Sequence, residues 1–313
     1  MADRIDAYAR ADFGGALTHE RRFDDRAFAG RLSLTDGRSA WLAVVADGVG
    51  GAPAGGHAAD LAIESVMTHL AQAGAEDILA LLAGAMQVAH VAVLAAGDQP
   101  DLRGLASTLA IALVVDDRLY VANIGDSRVY LLRAGTLTQV TSDHIWWRVA
   151  VAAGRAARDH AQRHPRAETL ERALGLEESA APDLGLYLKG GPEAGEDEAL
   201  ARANQGLTLL PGDRVLVCSD GLVKPRADGS GRAYVGPEEI RQQLGAETAS
   251  EAVQSLIGLA RGRGADDNVS AAVLAIARRR ARPVAWRRLA TTLATGLVSA
   301  LAASMATAWW LTR

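Results

Sequence analysis

Along most of this chain apolar residues recur either at every second position or at every third to fourth, and the switches between the two periods outline its elements. Arg38 to Ala46 is apolar and rich in β-branched residues, which predicts a strand. Ala58 to Leu70 sets Leu61, Ile63, Val66, Met67 and Leu70 on one side of a helix, and Asp77 to Ala96 predicts a second, longer one. A meander follows: Thr108 to Val115, the turn Asp116-Asp117, Arg118 to Ile124, the turn Gly125-Asp126-Ser127, and Arg128 to Arg133 before Ala134-Gly135. Strands joined by two or three residues must run antiparallel, because parallel neighbours need a crossover. The expected class is therefore α+β, with a largely antiparallel sheet and segregated helices. Residues 144–175 have a helical, amphipathic pattern, and Leu176 to Ala203, rich in Gly, Pro and Glu, is expected to be an exposed loop. Leu207–Leu210 and Arg214–Cys218, around Pro211-Gly212-Asp213, predict a hairpin; Pro237–Leu244 and Ala249–Gly262 predict helices, and Asn268–Ala277 a closing strand. Residues 1–30 are polar and broken, and no repeat with a period of 20–50 residues is present.

The pattern changes at the C-terminus. Leu289 to Leu311 is 23 residues without a charge, about 35 Å as a helix and enough to cross a hydrocarbon core of roughly 30 Å. Trp286 precedes it and Trp309-Trp310 closes it, as an aromatic belt would. Arg278, Arg279, Arg280, Arg282, Arg287 and Arg288 make residues 278–288 a basic juxtamembrane linker. A transmembrane helix at 289–311 is expected. By the positive-inside rule the preceding residues lie in the cytoplasm, giving a single-pass, tail-anchored protein of the bacterial inner membrane.

Charge sharpens the division. Seven arginines and no acid lie from Arg278 onward, so removing those seven charges from the net −4 leaves −11 for residues 1–277. An acidic body argues against nucleic acid as a partner and suits a site that gathers divalent cations. The single cysteine, Cys218, sits in an apolar strand, which excludes an internal disulfide and a cysteine-based zinc site.

Two strands end alike, in Val44-Val45-Ala46-Asp47-Gly48 and Val215-Leu216-Val217-Cys218-Ser219-Asp220-Gly221. Asp-Gly after a strand is by itself a turn signal. Here it belongs to a set: Asp24 and Asp25, Asp47, Asp126, Asp220, and the pair Asp266-Asp267 before Asn268. Carboxylates crowded at one sheet edge repel unless a cation neutralises them, and hard oxygen ligands with retained waters suit Mg²⁺ or Mn²⁺. Paired ions of this kind polarise a phosphoryl group and activate a water. No Gly-x-Ser-x-Gly elbow, His-Glu-x-x-His or Walker loop is present.

With these residues in view, the chain resembles the metal-dependent protein serine/threonine phosphatases of the PPM family in their bacterial form. The resemblance rests on Val45-Ala46-Asp47-Gly48-Val49-Gly50-Gly51, Ser107-Thr108, Asn123-Ile124-Gly125-Asp126-Ser127-Arg128, Thr141-Ser142-Asp143-His144, His164-Pro165, Arg172-Ala173-Leu174-Gly175, Pro211-Gly212-Asp213, Cys218-Ser219-Asp220-Gly221-Leu222 and Asp266-Asp267-Asn268-Val269-Ser270. These occur in the family's order and cover about residues 12–277, so residues 1–277 are expected to be one phosphatase domain. The resemblance implies a four-layer αββα sandwich of two mainly antiparallel sheets with the metal site at one edge. It implies that Asp47 bridges two Mn²⁺ or Mg²⁺ ions, that the Gly48 carbonyl binds one, and that Asp220 and Asp267 complete the first ion's shell. Asp126 falls where a third, weaker ion is held, and residues 145–170 fall on a mobile flap beside the site.

The first motif of the family, Arg-x-x-Asn-Glu-Asp, is altered. With Asp25 on its last acid, Asp24 takes the Glu, Phe23 the Asn and Glu20 the Arg. Asp24 and Asp25 are thus further candidate metal ligands, and Arg21 or Arg22 is left as the phosphate-gripping arginine, whose bidentate fork such a site wants. Val49 stands where many relatives carry a histidine. The expected function is metal-dependent hydrolysis of phosphoserine and phosphothreonine in proteins by a metal-activated water, with Asp47 and Asp25 as catalytic residues, opposing a Ser/Thr kinase. The alternative is a membrane-anchored pseudophosphatase that binds a phosphoprotein or kinase without turnover.

Overall fold

The computed structural model describes residues 5–14, 23–49, 55–72, 74, 77–176 and 181–278. Among these, one sheet runs β1 (Ile5–Asp12), β11 (Val269–Ile276), β10 (Arg214–Cys218), β7 (Arg128–Arg133), β8 (Thr136–Gln139). The other runs β2 (Asp25–Ser33), β3 (Ser39–Val49), β5 (Leu109–Val115), β6 (Arg118–Ile124), β9 (Leu207–Thr208), with β4 (Ala106–Ser107) paired to the end of β3. Every pairing is antiparallel.

Alternation along the strands assigns the layers. In β3, Leu42, Val44 and Ala46 face α1 (Gly55–Gln72) and α2 (Ile78–Gly97), whereas Ala43 and Val45 face the second sheet. In β10, Leu216 and Cys218 face α7 (Pro237–Gln243) and α8 (Ala249–Gly262), whereas Val215 and Val217 point inward to meet them. Each Leu, Ile or Val so buried contributes roughly 1.5–3 kcal/mol. Cys218 is a buried core residue. The helix α2 is long and apolar enough to cross a membrane, but Leu82, Ala85, Met86, Ala89 and Val93 pack it onto the sheet.

Several expectations are corrected. The stretch 1–30 contains two strands, β1 and the start of β2; their small alanines alternate with charged residues, so the polar composition hides an edge strand of each sheet. Residues 144–175 hold only two short helices, α3 (Trp146–Ala152) and α4 (Arg158–Gln162), around a local cluster of Ile145, Trp147, Ala161 and Ala167. The expected exposed loop at 176–203 buries Asp183, Leu184, Leu186, Tyr187 and Glu196 and includes the helix α5 (Glu198–Ala203). Its backbone bonds to Asn123 and Val140, because apolar residues there complete the core over the ends of β6 and β8.

The hairpin expected at 207–218 does not exist: β9 pairs with β6 and β10 with β7, in different sheets. The same holds for the turn Gly125-Asp126-Ser127, which carries the chain from β6 in one sheet to β7 in the other. Contact divides the chain into Met1–Ala277 and Arg278–Arg313. Of the second unit only Arg278 is described, so the rest of the linker and the expected helix at 289–311 lie outside the described residues.

Candidate active site

Parity along the strands aims the acids. Asp25 continues the inward series Ala27 and Ala29 of β2, and Asp47 continues Ala43 and Val45 of β3, so both carboxylates face the gap between the sheets. They are also direct register partners, which puts their Cβ atoms about 5 Å apart. Asp220 follows β10 on the opposite sheet and opens the short helix α6 (Asp220–Val223). Asp126 rides the crossing between sheets, whose Gly125 has φ +100°, a left-handed conformation that glycine adopts without strain.

The glycines of the two Asp-Gly pairs serve close approach rather than turns. A Cβ on Gly48 would lie 2.0 Å from the Gly55 carbonyl oxygen, and one on Gly221 would lie 1.9 Å from that of Asn268. Gly55 is itself hemmed in: a Cβ there would stand 2.8 Å from the Asp24 carboxyl carbon and 2.9 Å from the Gly48 carbonyl oxygen. The Asp24 carboxylate and the Gly48 carbonyl therefore border one small space at the start of α1. Asp24 Oδ1 accepts the Gly56 N–H at 2.8 Å, a charge-favourable place for an acid.

Hydrogen bonds lock this frame. The Asp47 N–H donates to Thr108 Oγ1 at 3.1 Å, the Thr108 N–H returns to the Asp47 carbonyl at 2.8 Å, and Thr108 Oγ1 meets Ser127 Oγ at 2.7 Å. The Ser219 hydroxyl donates to Asp25 Oδ2 at 2.8 Å. Asn268 Oδ1 accepts the N–H groups of Asp24 and Asp25 at 2.7 and 3.3 Å, tying the two sheets across the site. Arg128 and Arg148 both pair with the buried Asp143, at 2.8 and 3.3 Å.

Electrostatics reports the convergence. Burial pushes the Asp25 carboxyl up to about 7, the charge of Asp220 adding to the rise and the Ser219 hydroxyl opposing it. Burial also lifts Asp47 well above the usual carboxylate range, followed by repulsion from Asp25, Asp220, Asp126 and Asp267. Asp126 is pushed to about 8 by burial and then by Asp220 and Asp143. Burial raises Asp220 too, against the pull of the Lys224 ammonium. Asp25 Oδ1 and Asp220 Oδ1 are buried and accept no hydrogen bond among the described residues.

An oxygen-only donor set with two such atoms fits a hard divalent cation. Among the described residues, no three His, Cys, Asp or Glu side chains converge tightly enough to enclose an ion alone. Mg²⁺ and Mn²⁺ keep several waters and need few direct carboxylates, so an open set suits them. Asp267, with its side chain 47% exposed, stands at the rim, where its Oδ2 accepts from Lys224 Nζ at 2.5 Å. Val49 is exposed at the same edge. Arg21 and Arg22, the expected phosphate-gripping residues, lie outside the described residues.

Sequence reasoning passed over Ser219 as a partner of Asp25, Asn268 as the tie between sheets, and Lys224 beside Asp267. The signal for Lys224 was its rarity: it is one of two lysines in the chain, the other being Lys189.

The family model of protein phosphatase 2C matches residues 23–232. The serine/threonine protein phosphatase PstP of Mycobacterium tuberculosis is 36% identical over 234 residues, covering 74% of this chain and 40% of that protein. The chain thus matches well under half the length of that relative. The serine/threonine phosphatase stp of Listeria innocua is 30% identical over 236 residues, covering 73% of this chain and 82% of that protein. Among solved structures, the catalytic domain of the phosphatase PstP in complex with 2 manganese ions superposes with a TM-score of 0.64 at 31% identity, over 88% of this chain and 99% of that one.

Proposed function

The chain belongs to the protein phosphatase 2C family, and on that premise we propose that it hydrolyses phosphoserine and phosphothreonine esters of proteins with the aid of Mn²⁺ or Mg²⁺. The observation that carries the proposal is the meeting of Asp25, Asp47, Asp126 and Asp220 between the sheets, each carboxyl raised by burial and by its neighbours' charge. The two manganese ions of the related PstP domain support a pair of ions here.

In this reading Asp47 would serve two ions, the Gly48 carbonyl and Asp24 would help hold one of them, Asp220 and Asp267 the other, and Asp126 a third. When bound, such ions neutralise charge building on the phosphoryl oxygens and make water a competent nucleophile near neutral pH. The chain supplies the rest. Thr108, backed by Ser127, holds the Asp47 backbone on both sides and so fixes the point from which its carboxylate projects. Ser219 fixes Asp25 Oδ2, leaving Oδ1 without a hydrogen bond among the described residues and available to take a proton from water. Arg21 or Arg22 grips the substrate phosphate, and the segment 145–170 borders the site as the substrate-facing flap. Residues 278–288 and 289–311 act as basic linker and membrane anchor, holding the domain on the cytoplasmic side within reach of the products of a Ser/Thr kinase.

The test is turnover of a phosphothreonine peptide by the full chain with Mn²⁺. Activity should vanish with EDTA and fall by about 10³-fold or more in Asp47→Asn. Activity that survives either treatment overturns the proposal. Mn²⁺ binding without any turnover would instead favour a pseudophosphatase.

A further inference from the structure

Lys224 stands apart from everything the hydrolytic reading uses. It follows α6 directly, four residues after Asp220, so both side chains leave the same side of one helical turn. Its backbone is pinned: the Lys224 N–H donates to the Asp220 carbonyl at 2.7 Å, and its own carbonyl accepts the Tyr234 N–H at 3.0 Å. From that base Nζ reaches Asp267 Oδ2 at 2.5 Å and Asp266 Oδ1 at 3.5 Å. Among the described residues it is the only cation paired with either acid. The ammonium contacts Asp267 and acts through space on the charge of Asp220, and these two are the pair assigned to one ion. An ammonium and a divalent ion cannot both hold Asp267 Oδ2, since each would repel the other at contact distance.

We propose that Lys224 is a tethered counter-ion that competes with the divalent metal for Asp267, beside Asp220, so that loading of this chain's site requires the ammonium to swing out. The side chain can do so: it is 24% exposed and sits at the rim on a flexible four-carbon stem. With the ion bound, Asp266 remains as a rim carboxylate to receive the displaced ammonium. Without the ion, Lys224 partly neutralises a cluster that would otherwise be held together against its own repulsion. Two opposite effects on one residue follow. Removing its charge should weaken the metal-free fold and strengthen the grip on metal.

The inference rests on Asp220 and Asp267 being metal ligands, and the experiment separates the two claims. Mn²⁺ binding to the full chain in mild detergent is measured by calorimetry for the wild type, Lys224→Met, Lys224→Gln and Lys224→Arg, with thermal melts in EDTA and in saturating Mn²⁺. Both neutral variants should bind Mn²⁺ about tenfold more tightly, as expected when a half-buried ion pair no longer has to be broken. They should melt below wild type in EDTA and at or above it in Mn²⁺. Lys224→Arg keeps the charge and should bind within about threefold of wild type. Wild-type binding with an unchanged or weaker constant in the neutral variants overturns the inference alone. Absence of Mn²⁺ binding in every protein overturns both it and the reading of the site. Neutral variants that stay unfolded in saturating Mn²⁺ would make Lys224 a fixed structural cation, which overturns the inference as well.

Discussion

A carboxylate buried among other carboxylates holds its charge only against a penalty, so protons act on this domain through Asp25 and Asp126. Both titrate higher in the fold than in the unfolded chain, at about 7 and about 8 against an ordinary 3.8. The native state therefore binds more protons than the unfolded one between about pH 4 and 8, and stability falls as pH rises through that window. Metal reverses the trend, because it binds the ionised form. In EDTA the melting temperature should be about 5 °C lower at pH 8 than at pH 5.5, and Mn²⁺ should restore most of the difference. A melting temperature in EDTA that rises across this range would contradict the account. At this scale the sequence was informative, since strands that end in Asp-Gly pointed to the acids. It did not disclose which neighbour demands the glycines. Both lie outside the left-handed region, and what demands them is a carbonyl about 2 Å from where a Cβ would sit.

Among the elements, the apolar strands and long helices were legible from periodicity, while the edge strands β1 and β2 and the connections were not. Short polar turns such as Gly125-Asp126-Ser127 and Pro211-Gly212-Asp213 look alike whether the next strand pairs within its sheet or crosses to a sheet about 10 Å away. Local chemistry sets the bend, and only burial of both faces decides the partner. The segment 176–203, expected to be an exposed loop, departs from its composition for a related reason. Its Gly, Pro and Glu content masks an anchor in which Asp183 accepts from the Gly185 N–H at 2.7 Å and the Tyr187 hydroxyl at 3.0 Å, with His144 Nε2 at 3.8 Å. Asp183→Ala should cost about 2 kcal/mol in urea unfolding, because a buried donor pair is left unsatisfied. Tyr187→Phe should cost about 1 kcal/mol. Values near zero for both would return this segment to the status of a surface loop.

Taken whole, the chain joins an acidic domain to a tail of seven arginines around a charge-free stretch. If residues 289–311 anchor it, the full chain should sediment with membranes, and truncation after Ala277 should leave the protein in the supernatant. Recovery of both forms in the supernatant would remove the anchor from the proposal. The crossing at Gly125-Asp126-Ser127 has a further consequence for the domain itself. Asp25 and Asp47 are mounted on one sheet, Asp220 and Asp267 on the other, and Asp126 on the bridge between them. The cluster is thus a gauge of how the two sheets are aligned. A slip of one sheet past its partner would pull the pairs that span the gap, such as Asp47 with Asp220, out of step while leaving each strand's own hydrogen bonds intact. The apolar contacts far from the acids, such as Ala43 and Val45 against Val215 and Val217, therefore set the spacing of the metal ligands as surely as the ligands' own neighbours do.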